Sequence, residues 1–314
     1  MKAQVLASII LVSTLLPSAA PAQDISKASV FAPNEISTGD YESSPAFSPD
    51  ASTLYFLKLT PDASLWTIVV SRLVNGHWNK PEVAPFSGQY LDGDPFITAD
   101  GKRFFFISDR PQTEGGAPVK HDIWMMDKTP TGWSEPRNLG SPVNSEVNEY
   151  YPITVANGTL YFGSRRSGGV GGADIWRSQL KNGKYQEPEN LGEAINTAFD
   201  EFDAYVAPDE SFMIFNSGVR PDSIGGYDLY ISRNINGKWT KAENLGEPFN
   251  SEGNEFSPKF SPGAKHFVWT SNRSAINKPS AKRKNYADLM REYHGPQNGL
   301  GDIYYIDAKE LRIK

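Results

Sequence analysis

The chain has 314 residues, 39% of them hydrophobic and 12% aromatic, enough to bury one large core or two of medium size. A formal charge of −6 and a pI near 5.4 argue against a broadly basic face, so no nucleic-acid partner is expected. There are no cysteines, hence no disulfide and no lipid-bearing thiol.

The N-terminus, "MKAQVLASIILVSTLLPSAAPAQ", has Lys2 as a short positive region and an apolar run from Val5 to Leu16 that is too short to span a bilayer. Small residues follow at Ala20-Pro21-Ala22, so 1–22 read as a secretory signal peptide cut after Ala22. The mature chain, 23–314, is expected to be a single domain without a transmembrane segment, a monomer in the periplasm or secreted.

From residue 41 onward the chain repeats itself. The stretch "YESSPAFSPDASTLYF" returns as "LDGDPFITADGKRFFF" and "NEYYPITVANGTLYF", and again near 200 and 254. Anchored on Pro45, Pro95, Pro152, Ala204 and Pro258, the intervals are 50, 57, 52 and 54 residues. Each anchor is preceded three positions earlier by an acid: Glu42, Asp92, Glu149, Glu201 and Glu255.

Each unit reads as four short strands. The first ends in a turn dipeptide such as Asp100-Gly101 or Asn157-Gly158. An aromatic strand follows ("TLYFL", "RFFFI", "TLYFG", "FMIFN", "HFVWT"), then a third ("SLWTIVVS", "DIWMMD", "DIWRSQ", "DLYISR", "DIYYID"). After a turn and an aromatic (Trp78, Trp133, Tyr185, Trp239), a fourth strand runs into "RNLGSPVNS", "ENLGEAINT" or "ENLGEPFNS". Four strands per unit of about fifty residues, without helical periodicity, predict an all-β fold of β-propeller blades. The fifth unit lacks its outer strand, and "ASVFAPNEISTGDYE" matches "RNLGSPVNSEVNE" in register. The N-terminal strand is therefore expected to complete the last of five blades and close the ring. In blade 1, "FLKLT" replaces Ser-x-Arg, and Ser64 stands where the other blades have an Asp before the third strand.

The pattern acid-x-x-P, then S/A-P-D-G, an aromatic strand, S-x-R and G-G-x-D-[IL]-[YW] resembles the TolB-like (WD-repeat-like) β-propeller repeat, in the variety with "NLG…N-[ST]" between blades. The resemblance covers nearly the whole mature chain. It implies a bacterial envelope protein that acts as an interaction scaffold, with an envelope protein, peptide or glycan as partner, and implies no one reaction. Similar blades accompany serine-peptidase domains, but no G-x-S-x-G occurs here.

The loops entering the first strand and those between strands 2 and 3 should open on one face. They carry the candidate ligand-binding residues: Glu42, Asp92, Asp94, Glu149, Tyr150, Glu201, Asp203 and Glu255, with Arg110, Arg165 or Arg166, Arg220 and Arg273. One expectation is that acid and arginine are structural pairs tying neighbouring blades together. The other is that unpaired acids, with Asp94, Glu149, Asp203 and Glu255 as candidates, line a central funnel as in a glycoside hydrolase. Asp122, Asp174, Asp228 and Asp302 are expected to satisfy turn amides. No cofactor is expected, though hard Ca²⁺ would suit an acid ring. His77, His121, His266 and His294 lack zinc spacing, and His121 and His294 lie in loops of the funnel face. One insertion, 274–300, carries the basic run Lys282-Arg283-Lys284. Its segment "NYADLMREYH" can form two to three helical turns capped by Asn285, a candidate lid.

Overall fold

The computed structural model describes residues 27–113, 116, 120–276, 279–280 and 282–313, so the expected signal peptide lies outside the described residues. The chain forms a five-bladed β-propeller. Blade 1 comprises Tyr41–Phe47, Thr53–Leu59, Trp66–Val74 and Glu82–Val83. Blade 2 comprises Asp92–Ile97, Arg103–Ser108, Asp122–Thr129 and Arg137–Asn138. Blade 3 comprises Glu149–Thr154, Leu160–Ser164, Asp174–Ser178 and Glu189–Asn190, and blade 4 Glu201–Val206, Phe212–Ser217, Asp228–Ile235 and Glu243–Asn244. Blade 5 takes its inner three strands from Glu255–Phe260, His266–Ser271 and Asp302–Asp307.

Its fourth strand is Ser29–Val30, which pairs antiparallel with the third strand through Ser29↔Tyr305 and Val30↔Tyr304. Phe31 N–H donates to Ile303 O at 2.7 Å and Ser37 Oγ accepts from Ile303 N–H at 3.1 Å. The ring is thus closed by hydrogen bonds between its two ends, and Ser29–Val30 covers the outer edge of Asp302–Asp307.

The alternation of aromatic and aliphatic residues in each second strand sends side chains to both faces of the blade, and each face packs on a neighbour. Five separate clusters result, one per seam. Phe104, Phe106 and Trp124 meet Leu57 and Ile68 between blades 1 and 2, for example. Leu54, Phe56 and Val69 meet Val268 and Ile303 between blades 1 and 5, where the ring closes.

Blade 1 departs from the register read from its sequence. Lys58 pairs with Glu42 and with Thr67, just as Ser108 pairs with Asp92 and with Asp122. Thr67, rather than Ser64, therefore holds the position of the repeated Asp. Ser64 instead donates to Asp62 in a local turn.

The insertion contains a helix, Tyr286–Tyr293, whose cap is Asn285 accepting from Asp288 N–H at 2.9 Å. Lys284 of the basic run is paired with Glu292. Asn298 ties the end of the insertion to the connector entering blade 1 by donating to Gly39 O, and to the helix by donating to Tyr293 O. No helix among the described residues is long and apolar enough to cross a membrane.

Candidate functional site

The five repeated acids, Glu42, Asp92, Glu149, Glu201 and Glu255, are each 0% exposed. In four blades the arginine following strand 2 meets the acid of its own blade. Arg110 reaches Asp92 at 2.7 Å, Arg166 reaches Glu149 at 3.1 Å, Arg220 reaches Glu201 at 2.8 Å and Arg273 reaches Glu255 at 3.4 Å. Arg165, the neighbouring candidate, pairs with Asp200 instead. The pairs lie inside single blades and not across them, which corrects one expectation. The reach to the preceding blade is indirect: each guanidinium also donates to connector carbonyls such as Phe86, Ile195 or Phe249. Burial pushes the Arg166 guanidinium down from its usual range and the carboxyls of Glu42 and Glu149 up. In blade 1 the acid is met by Lys58 from strand 2, because the Ser position carries the cation itself.

The "N-[ST]" motif completes this clamp. The hydroxyls of Thr38, Ser145, Thr197 and Ser251 donate to Glu42, Glu149, Glu201 and Glu255 at 2.5–2.6 Å. The preceding asparagines, Asn144, Asn196 and Asn250, bond both backbone groups of Ile123, Ile175 and Leu229. Blade 2 has Gly88 where the hydroxyl should be, and Asp92 Oδ2 is left without a hydrogen bond. Asp174 and Asp228 accept from the amides of Val170, Gly171, Ile224 and Gly225, and Asn190 and Asn244 of "NLG" donate to them.

Two residues beyond each acid, the inner strand carries a bulge. Ser44, Asp94, Tyr151, Asp203 and Ser257 all have φ between 47° and 55°, and the register shifts at each. A bulge re-aims its side chain, and these five meet around the axis. Ser44 Oγ lies 2.9 Å from Ser257 Oγ and 3.4 Å from Asp94 Oδ1. Asp94 Oδ2 accepts from Tyr151 N–H at 3.0 Å, and Asp203 Oδ2 accepts from the N–H and hydroxyl of Ser257 at 3.0 and 3.1 Å. Tyr151 O–H crosses the ring to Pro258 O at 2.9 Å.

Below this ring is Lys259, only 6% exposed, whose Nζ has no hydrogen-bond partner and sits 4.0 Å from the centre of the Tyr151 ring. Burial pushes its amine down to about 7, against the attraction of Asp94 and Asp203. Burial, then the charge of Asp94, pushes Asp203 up to about 7, and burial also raises Asp94.

Above the ring opens a cavity of about 410 Å³, lined by Tyr41, Tyr150, Phe202, Tyr227, Phe256, Asp203, Asn216 and Asn254. Of the residues singled out in the sequence, the cavity brings together Tyr150 and Asp203. Asp94 lies in the ring beneath, and the paired acids and arginines lie inside the blades. His121 sits elsewhere, stacked on Trp66 at 4.9 Å, with burial lowering its pKa. Tyr41, Phe256, Tyr227, Asn216 and Asn254 were not legible as site residues. The one available signal was the aromatic after the acid, Tyr150 and Phe202, which recurs as Phe256. Among the described residues no group of three or more His, Asp or Glu side chains is arranged to hold a metal ion.

No family model and no curated protein matches the sequence. Among solved structures, the chain is similar to an α-L-arabinofuranosidase from Lactobacillus brevis (10% identity, 87% of this chain and 92% of that one, TM-score 0.47). It is also similar to the catalytic domain of a Coprinopsis cinerea GH62 α-L-arabinofuranosidase (12%, 85% and 90%, TM-score 0.49). A third is the β-propeller domain of the Trilobed protease from Pyrococcus furiosus (15%, 72% and 62%, TM-score 0.39). At such identities the likeness concerns the fold and says nothing of activity.

Proposed function

We propose that the protein is a TolB-like binding propeller of the periplasm or the extracellular space, which docks an envelope protein, peptide or glycan in the funnel without turning it over. The observation that carries this reading is the contrast between the acids and the cavity. The repeated carboxylates are spent on arginine, lysine and hydroxyl partners, whereas the cavity has aromatic walls and one carboxylate, Asp203. Concave aromatic surface with a few polar groups is the usual composition of a binding site. A glycosidase of either stereochemistry needs two carboxyls across the scissile bond.

One observation favours the alternative, a carbohydrate-active enzyme: the Asp203 carboxyl is pushed up to about 7, as a general acid requires. Thermal unfolding against a panel of envelope glycans, peptidoglycan fragments, peptides and Ca²⁺ separates the two readings, because a ligand of the native state raises the midpoint. A stabilising ligand recovered intact after overnight incubation supports binding. A cleaved ligand overturns it.

A further inference from the structure

The funnel cavity has one charged lining residue, Asp203. Asn216 is 4% exposed, and its Oδ1 is buried without a hydrogen-bond donor. Asp203 spends Oδ2 on Ser257, leaving Oδ1 without a protein donor among the described residues. Both side chains line the cavity. The cavity therefore presents one carboxylate oxygen without a protein donor, with a buried amide oxygen that also lacks one behind its wall.

The walls are equally specific. The rings of Tyr150 and Phe202 are 5.3 Å apart at 81°, and those of Phe202 and Tyr227 are 6.3 Å apart at 46°. The rings are inclined to one another and form no flat platform on which a sugar stacks. Their negative faces attract cations. The Phe202 ring already holds one cation at the rim: the Arg165 guanidinium lies 5.6 Å from its centre, anchored to Asp200 at 2.9 Å. An anion would meet the charge of Asp203.

We propose that this cavity is a receptor for a primary ammonium group, as borne by a free peptide N-terminus or a lysine side chain, with the Asp203 carboxylate accepting its N–H groups among the aromatic rings that line the cavity. The proposal rests on the binding-propeller reading and names its ligand chemistry. It gives Asp203 Oδ1, which has no donor among the described residues, a charged partner.

The groups facing Asp203 are Asp94 and Lys259 in the channel, Tyr151 and Ser257 beside it and Tyr227 above. Burial and the charge of Asp94 push the Asp203 carboxyl up to about 7. A bound ammonium favours the carboxylate, so binding expels the carboxyl proton and tightens as pH rises.

The test uses the mature chain and three tripeptide probes followed by calorimetry: Gly-Gly-Gly with a free N-terminus, the same peptide acetylated and amidated, and an acetylated, amidated Gly-Lys-Gly. A neutral trisaccharide is the fourth probe. At least one amine probe is expected to bind about tenfold or more tighter than the capped triglycine, and to gain about tenfold between about pH 5.5 and pH 8. Which of the two binds distinguishes N-terminus from lysine. Phe202→Leu should weaken that probe several-fold, and Asp203→Asn should weaken it and flatten its pH profile. Should Asp203→Asn fail to fold, Phe202→Leu and the wild-type pH profile still decide. Equal binding of capped and free peptides overturns the proposal, as does the failure of both amine probes. Binding of the intact trisaccharide with a flat pH profile and no binding of amines also overturns it, yet leaves the binding-propeller reading standing. A cleaved trisaccharide overturns both.

Discussion

Arg220 Nη2 stands 2.8 Å from Glu201 Oε1 and 2.9 Å from Ile195 O, so one guanidinium neutralises the buried acid of blade 4 and fastens the connector from blade 3. Arg220 is 9% exposed on its side chain and Glu201 is 0% exposed. Arg220→Ala therefore strands a carboxylate in the interior and should cost about 3–5 kcal/mol in chemical denaturation. Arg220→Lys should recover only part of this, since a lysine cannot also supply the 2.7 Å bond from Nε to Ser217.

Blade 1 answers the same need with Lys58, whose side chain is 25% exposed. The Glu42 carboxyl is already raised by burial, and Lys58 opposes that rise. Lys58→Met should raise it further. An acid whose folded pKa lies above its unfolded value holds its stability below the unfolded pKa and loses it as pH climbs through the folded one. Lys58→Met should thus lie near wild type at about pH 4 and fall about 2–3 kcal/mol short at about pH 8, below the fully buried case because Lys58 is partly exposed. A deficit independent of pH would contradict this.

The asparagine of the connector motif behaves as a staple. Asn196 accepts from Ile175 N–H at 2.8 Å and donates to Ile175 O and Asn190 Oδ1 at 3.0 Å. Asn196→Ala removes three hydrogen bonds, two of them buried, and should cost about 2–3 kcal/mol. Asn196→Ser should recover part of the loss, because Ser37 and Ser87 hold the equivalent strand by a single hydroxyl in blades 5 and 1.

The blade count, the strand order and the closing of the ring were legible because each rests on a pattern repeated in every unit. The Arg–acid clamps were legible as pairs but not as intra-blade pairs, since sequence spacing does not say which side of a strand an arginine folds back on. Blade 1 misled: Ser64 resembles an Asp substitute by alignment, yet the Lys58–Glu42 contact fixes the register three residues later. Asp94 and Asp203 were legible as funnel candidates, but the axial ring they belong to was hidden for a different reason. Ser44, Asp94, Tyr151, Asp203 and Ser257 share a backbone conformation and not a residue type, so no repeat marks them. Lys259 stands where the other blades have Ala46, Phe96, Ile153 and Tyr205, and only the packing shows that its amine is sealed in the channel.

The insertion docks on the connector entering blade 1 through Gly39. A Cβ at Gly39 would lie 2.2 Å from His294 O and 2.8 Å from its Cα, both backbone atoms that cannot rotate aside. Gly39→Ala should therefore push the end of the Tyr286–Tyr293 helix off that connector. No residue of that helix is buried, so amide exchange in the helix should quicken while the global midpoint moves little. A large global loss would mean that the insertion belongs to the core.

Lys259 and Asp203 give the channel a stability profile of its own. Asp203, pushed up to about 7, binds more protons folded than unfolded, so its contribution falls as pH rises from about 4 to 7. Lys259, pushed down to about 7, binds fewer protons folded than unfolded, so its contribution climbs from pH 7 towards the lysine value of 10.5. The two slopes meet in a minimum near neutrality. Lys259→Met removes the upper slope and, by deleting the charge that opposes it, shifts Asp203 higher still. Wild type should therefore gain on Lys259→Met by about 1 kcal/mol or more between about pH 7 and pH 10, whichever variant is the more stable at pH 7. The measurement is urea denaturation of both proteins across that range. Parallel curves would mean that Lys259 titrates at its ordinary value and that the channel is wet enough to solvate it.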